Sequence, residues 1–213
     1  PSTEITKSFT KASILVKDVK DLENIMDYAF LLANDGKKGV VHIDLPKCVS
    51  TDIYNGFKSN LYSNEIYKLT GKKYDEDIDE QIYKVSGVIN NSEKPIFVLG
   101  QGAMNCEYLL RKIINKNSIP YTTTIHGKGI MGDNNLSLSW LGMHGHAGAN
   151  YAVQESDCII ALGSRFDDRT TGNTDFYAPN ATKKKQIIHI DIEKKQFNKS
   201  IKSHYNINCD SSY

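Results

Sequence analysis

Five consecutive apolar residues, Cys158-Ile159-Ile160-Ala161-Leu162, closed by Gly163, constrain this 213-residue chain more than any other stretch. A strand without polar alternation has both faces covered, which is the condition of a parallel sheet flanked by helices. Before it, LGMHGHAGANYAVQESD predicts a glycine-studded loop and a short helix over Ala147–Glu155, with Asn150, Gln154 and Glu155 facing solvent. After it, Arg165, Asp167, Asp168 and Arg169 put two cations and two anions within five residues. In an open α/β sheet, ligands sit just past the carboxyl ends of the strands, where such a loop projects. Guanidinium groups there suit a phosphate, because their fork pairs with its oxygens and stays charged. The same spacing also fits a solvated turn whose charges pair with each other.

The unit of strand, glycine turn and helix recurs. Ile96–Leu99 leads into Gly100-Gln101-Gly102 and a helix carrying Leu109, Leu110, Ile113 and Ile114. Tyr121–Ile125 follows Pro120; Ile187–Ile190 runs into Asp191 and a Lys-rich helix; Tyr205–Asn208 makes a fifth strand. Such alternation predicts an α/β fold with a doubly wound parallel sheet. Ile78, Ile82, Val85 and Ile89 step at helical spacing before Pro95. Nearer the start, an extended entry over 1–16 precedes a helix from Asp18 to Asn34. Its stripe is Leu22, Ile25, Met26, Ala29, Leu32 and Ala33, with Asp18 placed to cap it and Gly36 to end it. A strand over Gly39–Asp44 stops at Pro46. Residues 49–77 lack sustained periodicity and are expected to link a domain over 1–48 to one over 78–213.

With 26 basic and 25 acidic side chains, the net charge of +1 gives no reason to expect a nucleic acid or an anionic membrane surface. No apolar run approaches membrane-spanning length, and no charged-then-apolar leader opens the chain. Cys48, Cys106, Cys158 and Cys209 are far apart with no CxxC pair, which fits a reducing compartment. His144 and His146 flank Gly145 without further ligands at metal-binding spacing, so backbone-bonded loop histidines are the plainer expectation. Gly100-Gln101-Gly102 lacks the third glycine of a dinucleotide fingerprint, Asn105 standing there. It is either a tight turn or a close approach to an anion. Asp191, at a strand end, suits a ribose hydroxyl pair or a cap for the residues from Glu193 onward.

Several motifs in the same order resemble a known family. Thr3-Glu4-Ile5-Thr6, HIDLPK at 42–47, VLGQGAMN at 98–105, TTTIHGKG at 122–129, LGMHG at 141–145, ANYAVQ at 149–154 and SRFDDRTTGN at 164–173 are similar to acetolactate synthase (acetohydroxyacid synthase). That is a thiamine-diphosphate-dependent enzyme whose catalytic subunit also carries FAD. The resemblance implies the tail of a pyrimidine-binding domain followed by the central, FAD-binding domain. It implies cofactor contacts from Gly100, Gln101, Gly102 and Asn105; Thr124, Ile125 and His126; Leu141, Gly142, Met143 and His144; Gly163, Arg165, Asp167 and Arg169; and Asp191, Ile192 and Asp210. Lys37 stands where the family has an arginine, keeping the charge without the bidentate fork. His126, Gln101 and Cys209 stand where glutamine, alanine and glycine are common.

For the intact enzyme the resemblance implies thiamine diphosphate with Mg2+, condensation of pyruvate with a second pyruvate or 2-oxobutyrate, and a place in branched-chain amino-acid synthesis. It also implies a homodimer or homotetramer, with or without a regulatory subunit, in the cytoplasm or an organelle. The activating glutamate and the GDG…N metal–diphosphate motif are not among these residues, so no catalytic residue is expected here and the chain alone is expected to be inactive. A pyruvate oxidase or glyoxylate carboligase parent, a free-standing nucleotide-binding module, and a structural domain with a degenerate site are the competing expectations.

Overall fold

The computed structural model describes residues 2–56, 59–71 and 77–213. Two compact units divide the chain, Pro1–Lys73 and Tyr74–Tyr213. In the first, helix α1 (Ser2–Thr6) opens what the sequence predicted as extended. Strands β1 (Ala12–Leu15) and β2 (Val41–Asp44) pair in parallel, Ile14 beside Ile43, joined through α2 (Leu22–Asn34). Asp18 caps a separate 3-10 turn over Val19–Asp21, its carboxylate accepting from the Lys20 N–H at 3.0 Å, rather than α2 itself. Gly36, at φ +52, lies just past the end of α2. Ile14, Val16, Ile25 and Val49 form the core.

The segment over 49–77 holds more order than its composition suggests. Helix α3 (Lys47–Ser50) runs into it, and α4 (Ser63–Thr70) lies within it. Tyr62, just before α4, stacks on Tyr28 of α2 at 4.3 Å between ring centroids. Residues 57–58 and 72–76 of that segment lie outside the described residues.

The second unit is built on a six-stranded sheet. Its strands are β3 (Pro95–Leu99), β4 (Tyr121–Thr123), β5 (Ser137–Trp140), β6 (Cys158–Leu162), β7 (Ile187–Ile190) and β8 (Tyr205–Ile207). Their order is β5-β4-β3-β6-β7-β8, every pairing parallel. The doubly wound sheet is therefore as expected, with the order reversing between β3 and β6. Every residue of β6 is buried, Cys158 and Ile159 completely. Burial pushes the Cys158 thiol up to about 11, consistent with an inert core thiol. Two apolar layers sandwich the sheet, one around Leu99, Leu110, Ile114 and Ile188, the other around Val98, Val153, Ile159 and Phe166. Helices α5 (Ile78–Asn90), α6 (Glu107–Asn117), α7 (Ala147–Glu155), α8 (Asp168–Thr171) and α9 (Pro179–Lys184) supply the rest.

Three local expectations change. Strand β5 was not expected; its Ser-Leu-Ser-Trp alternation, half-exposed at the sheet edge, carries no apolar run. Helix α6 starts at Glu107, because Gln101–Cys106 forms a 3-10 helix first. The Lys-rich helix after β7 is only a 3-10 turn over Lys194–Gln196. No helix among the described residues is long and apolar enough to cross a membrane.

Candidate functional site

In an all-parallel sheet the strands end on one edge. The carboxyl edge therefore gathers Gly100 after β3, Thr124 after β4, Leu141 after β5, Gly163 after β6, Asp191 after β7 and Asn208 after β8. The reversal between β3 and β6 marks the place where an open sheet of this kind presents a crevice.

Glycines close the two strands at that place onto each other. The Gly100 N–H donates to Leu162 O at 2.8 Å and the Gly102 N–H to Gly163 O at 3.2 Å. A Cβ on Gly102 would lie 2.7 Å from Gly163 Cα, and Gly163 itself sits at φ +55 with no room for a side chain. These glycines first serve backbone-to-backbone packing, and the N–H of Gly102 is used internally. Gln101, Gly102 and Asn105 remain exposed.

Beyond Gly163 the chain buries one residue and exposes its neighbour. Phe166 is 1% exposed although its backbone sits at φ +50, a region a bulky residue rarely enters. Its ring meets Tyr177 and His189 edge-on, at 5.9 and 5.0 Å between centroids. Arg165 is exposed and forms no ion pair among the described residues. Asp167 caps α8, accepting from the Thr170 N–H and hydroxyl, both at 3.1 Å. Arg169 lies 3.8 Å from Asp168, an open pair with both side chains more than two-thirds exposed, worth little in water. Part of the charge-paired turn is thus present, yet both guanidiniums face solvent.

The loop over 141–145 rests on this one. The Met143 N–H donates to Arg169 O at 2.8 Å, and Arg169 Nη1 lies 3.6 Å from Met143 Sδ. Asn150, expected to face solvent, instead bonds both polar groups of Gly142: it accepts from the N–H at 3.0 Å and donates to the carbonyl at 3.1 Å. Gln154 also turns inward, accepting from the Ala178 N–H. His146 caps α7 by accepting from the Gly148 N–H, and His144 O accepts from Trp140 Nε1. The His146 imidazole is thus bonded to backbone, whereas His144 is held only through its main-chain carbonyl, and no cluster of three or more metal-ligating side chains forms among the described residues.

Exposed Ile125, His126 and Met143 complete the rim, with Thr124 and Leu141 buried beneath. Asp191 is 7% exposed; its Oδ1 accepts from the Glu193 N–H at 2.8 Å, and Asn208 donates to the carbonyls of Asp191 and Ile192. Asp210 accepts from the N–H and hydroxyl of Ser212. Burial, with Asp210 nearby, pushes Cys209 up to about 11. His189, fully buried, places Nε2 2.9 Å from Ser164 O, while its Nδ1 and the Ser164 hydroxyl have no hydrogen-bond partner among the described residues. Burial holds His189 down at about 4, so it is neutral and donates through Nε2.

With the geometry in place, the comparisons decide the family. The family described as thiamine pyrophosphate enzyme, central domain, matches residues 82–212. The chain belongs to the thiamine pyrophosphate enzyme family. Among the relatives of this thiamine pyrophosphate enzyme chain are acetolactate synthases. It is 37% identical over 220 residues to the mitochondrial catalytic subunit of Saccharomyces cerevisiae, covering 98% of this chain and 32% of that protein. It is 37% identical to chloroplastic acetolactate synthase 2 of Nicotiana tabacum (99% and 31%) and 35% identical to the isozyme 1 large subunit of Escherichia coli (97% and 35%). The chain thus spans about a third of the length of these curated relatives. Of the residues implied by the resemblance, Lys37 is exposed in the first unit; all the others belong to the central-domain unit. Asn150, Phe166 and His189 were missed, and only Phe166, a lone aromatic in a charged loop, left a signal in the sequence.

Proposed function

We propose that this chain is the FAD-carrying part of an acetolactate synthase, holding the cofactor along the carboxyl edge of its six-stranded sheet. The observation that carries the reading is the pair of exposed guanidiniums, Arg165 and Arg169, beside the reversal of strand order. Apolar Ile125 and Met143 on the same rim offer surface to a flat ring, and the pair of arginines offers charge to a diphosphate. The buried, already bonded carboxylate of Asp191 and the carboxylate of Asp210 lie at the β7 and β8 ends, where an adenosine portion would be held. When bound, FAD supplies a structural part of the site and no net redox work. The chain's own residues bind and orient it: Arg165 and Arg169 by charge, Gly142 and Met143 by shape.

The intact protein, on this reading, also binds thiamine diphosphate with Mg2+ and joins pyruvate to a second pyruvate or to 2-oxobutyrate, as a homodimer or homotetramer. The 213 residues alone are inactive, and acetolactate formed by them would refute that. Cofactor choice is tested by melting the protein with FAD, NAD or ADP. FAD at a hundred times its Kd adds about 2.7 kcal/mol, a rise of about 5–10 °C for a chain of this size. The double variant Arg165→Ala, Arg169→Ala is expected to abolish the rise. A rise with NAD and none with FAD would make the chain a different nucleotide module.

A further inference from the structure

We propose that Asn150 is a positioning residue that locks the 141–145 loop to the loop over 164–172, so that Met143 and Arg169 reach a bound flavin nucleotide as one element. The inference rests on the FAD reading above.

Asparagine is a poor helix former, and a helical position facing only solvent favours other residues. Asn150, in the first half of α7, does not face only solvent. Its amide grips Gly142 on both sides, as a neighbouring strand would. The grip matters because Gly142 stands at φ +115, where glycine has freedom and no side chain of its own to hold it. A Cβ there would lie 2.9 Å from Thr170 Cα and closer still to Arg169 O, so backbone meets backbone at this point. The next residue makes the joint, Met143 N–H to Arg169 O.

Both ends of the chain of contacts are anchored. Helix α7 is fixed by its buried Ala149 and Val153 and by the His146 cap. Helix α8 is fixed by Asp167 and by buried Thr170 and Thr171. Between them, the loop is closed by Gly145 N–H to Gly142 O at 2.9 Å and by Trp140 Nε1 to His144 O at 2.6 Å. Lys128 lies over the Trp140 ring, 3.9 Å from its centroid. Removing the Asn150 amide leaves the Gly142 N–H without its partner and lets the glycine explore other conformations, which releases Met143 from Arg169.

Trp140 is the chain's single tryptophan, so its emission reports this loop without any ligand. The test compares wild type, Asn150→Ala and Asn150→Asp by Trp140 emission, hydrogen exchange at the Met143 and Ile160 amides, and FAD titration. In Asn150→Ala, Met143 exchange is expected to rise about tenfold and FAD affinity to fall about tenfold, the scale of one lost hydrogen bond. Ile160 exchange, which reads the sheet, stays unchanged, as a merely structural role would not allow. Asn150→Asp keeps the acceptor for the Gly142 N–H and falls between; it also carries the test if the alanine variant does not fold. Unchanged Met143 exchange and Trp140 emission overturn the lock. Loosened loops with undiminished FAD affinity overturn the positioning role. A wild-type chain that binds no FAD overturns the flavin reading, whatever the exchange data show.

Discussion

The two ends of the central strand pair, β3 and β6, are held by opposite means. At the amino edge, side chains hold the strands. Asp157, just before β6, is buried and accepts from the backbone N–H groups of Glu93 and Lys94, ahead of β3, and from Lys184 Nζ at 2.9 Å, ahead of β7. One carboxylate ties three strand entries together beside a cleft of about 420 Å3, whose lining charges, Lys94, Lys183 and Lys184 against Glu93, Glu155 and Asp157, balance. At the carboxyl edge, backbone meets backbone through glycines, and the charged side chains of Arg165 and Arg169 are left in solvent. The comparison separates two uses of charge: Asp157 is committed to backbone N–H groups and Lys184, while Arg165 and Arg169 are committed to no backbone group, which is why the carboxyl edge is the side proposed above for binding.

The sharpest way to break that comparison is to put a side chain into the glycine joint. Gly163→Val adds a β-branched side chain at φ +55 against the Gly102 backbone. A loss of about 4 kcal/mol or failure to fold is expected in urea denaturation. A loss under about 1 kcal/mol would show that the joint is not needed.

Acid separates the edges next. His189 has a folded value of about 4 against 6.5 when free, because burial disfavours the cation. A lowered value means stability is fully present above 6.5 and drains away as pH falls toward 4. The full difference is about 3 kcal/mol at about 1.36 kcal/mol per pH unit. His204, lowered by burial and then by Lys202 and Lys185, adds in the same sense. Replacing His189 with Gln should flatten most of the slope of unfolding free energy between pH 6.5 and 4; an unaltered slope would assign it elsewhere.

Sequence reading reached the parts of this design that are local. Strands β3 and β6 are legible because burial on both faces demands unbroken apolar runs, and β7 because three isoleucines surround His189. β5 is not, because an edge strand needs only alternate residues inward and Ser137-Leu138-Ser139-Trp140 resembles a loop. The 3-10 start before α6 follows from Gly100 and Gly102 packing on Gly163, a partner far along the chain that no local pattern announces. Asn150 misleads for a related reason: helical periodicity sends an amide to solvent, while tertiary contact turns it onto Gly142. The Lys-rich helix fails because Asp191 bonds the Glu193 N–H and turns the chain at once. At the site, exposed Arg165 and Arg169 were visible as charges in a post-strand loop. The contact of Arg169 with the 141–145 loop was not.

At the amino edge, Asp157→Ala is expected to cost about 2 kcal/mol, since two backbone N–H groups and an ammonium lose their acceptor. Burial pushes this carboxyl up, but Lys184 and the two N–H donors outweigh it and hold the group below 3.8. Its contribution is therefore complete above about pH 4 and lost only as pH falls below that, outside the His189 window. The gap between wild type and variant should narrow as pH falls below 3.8; a gap that stays constant on acidification would mean that charge plays no part in the clamp.

The smallest expected change in stability is at the arginines, and it is the most telling. Arg165 makes no ion pair among the described residues, and Arg169 has only its open approach to Asp168 and a weak contact with Met143 sulfur. Exposed charges of this kind contribute within about 0.5 kcal/mol. Arg165→Ala and Arg169→Ala should therefore melt like wild type in the absence of ligand. The Met143 N–H to Arg169 O bond is made by backbone and survives the second substitution, so Met143 exchange stays protected as well. If either variant unfolds early, its guanidinium braces the loop from within, and the division of labour between the two edges fails. If both are stable yet lose FAD, the carboxyl edge has kept these charges for a ligand at almost no cost to the fold.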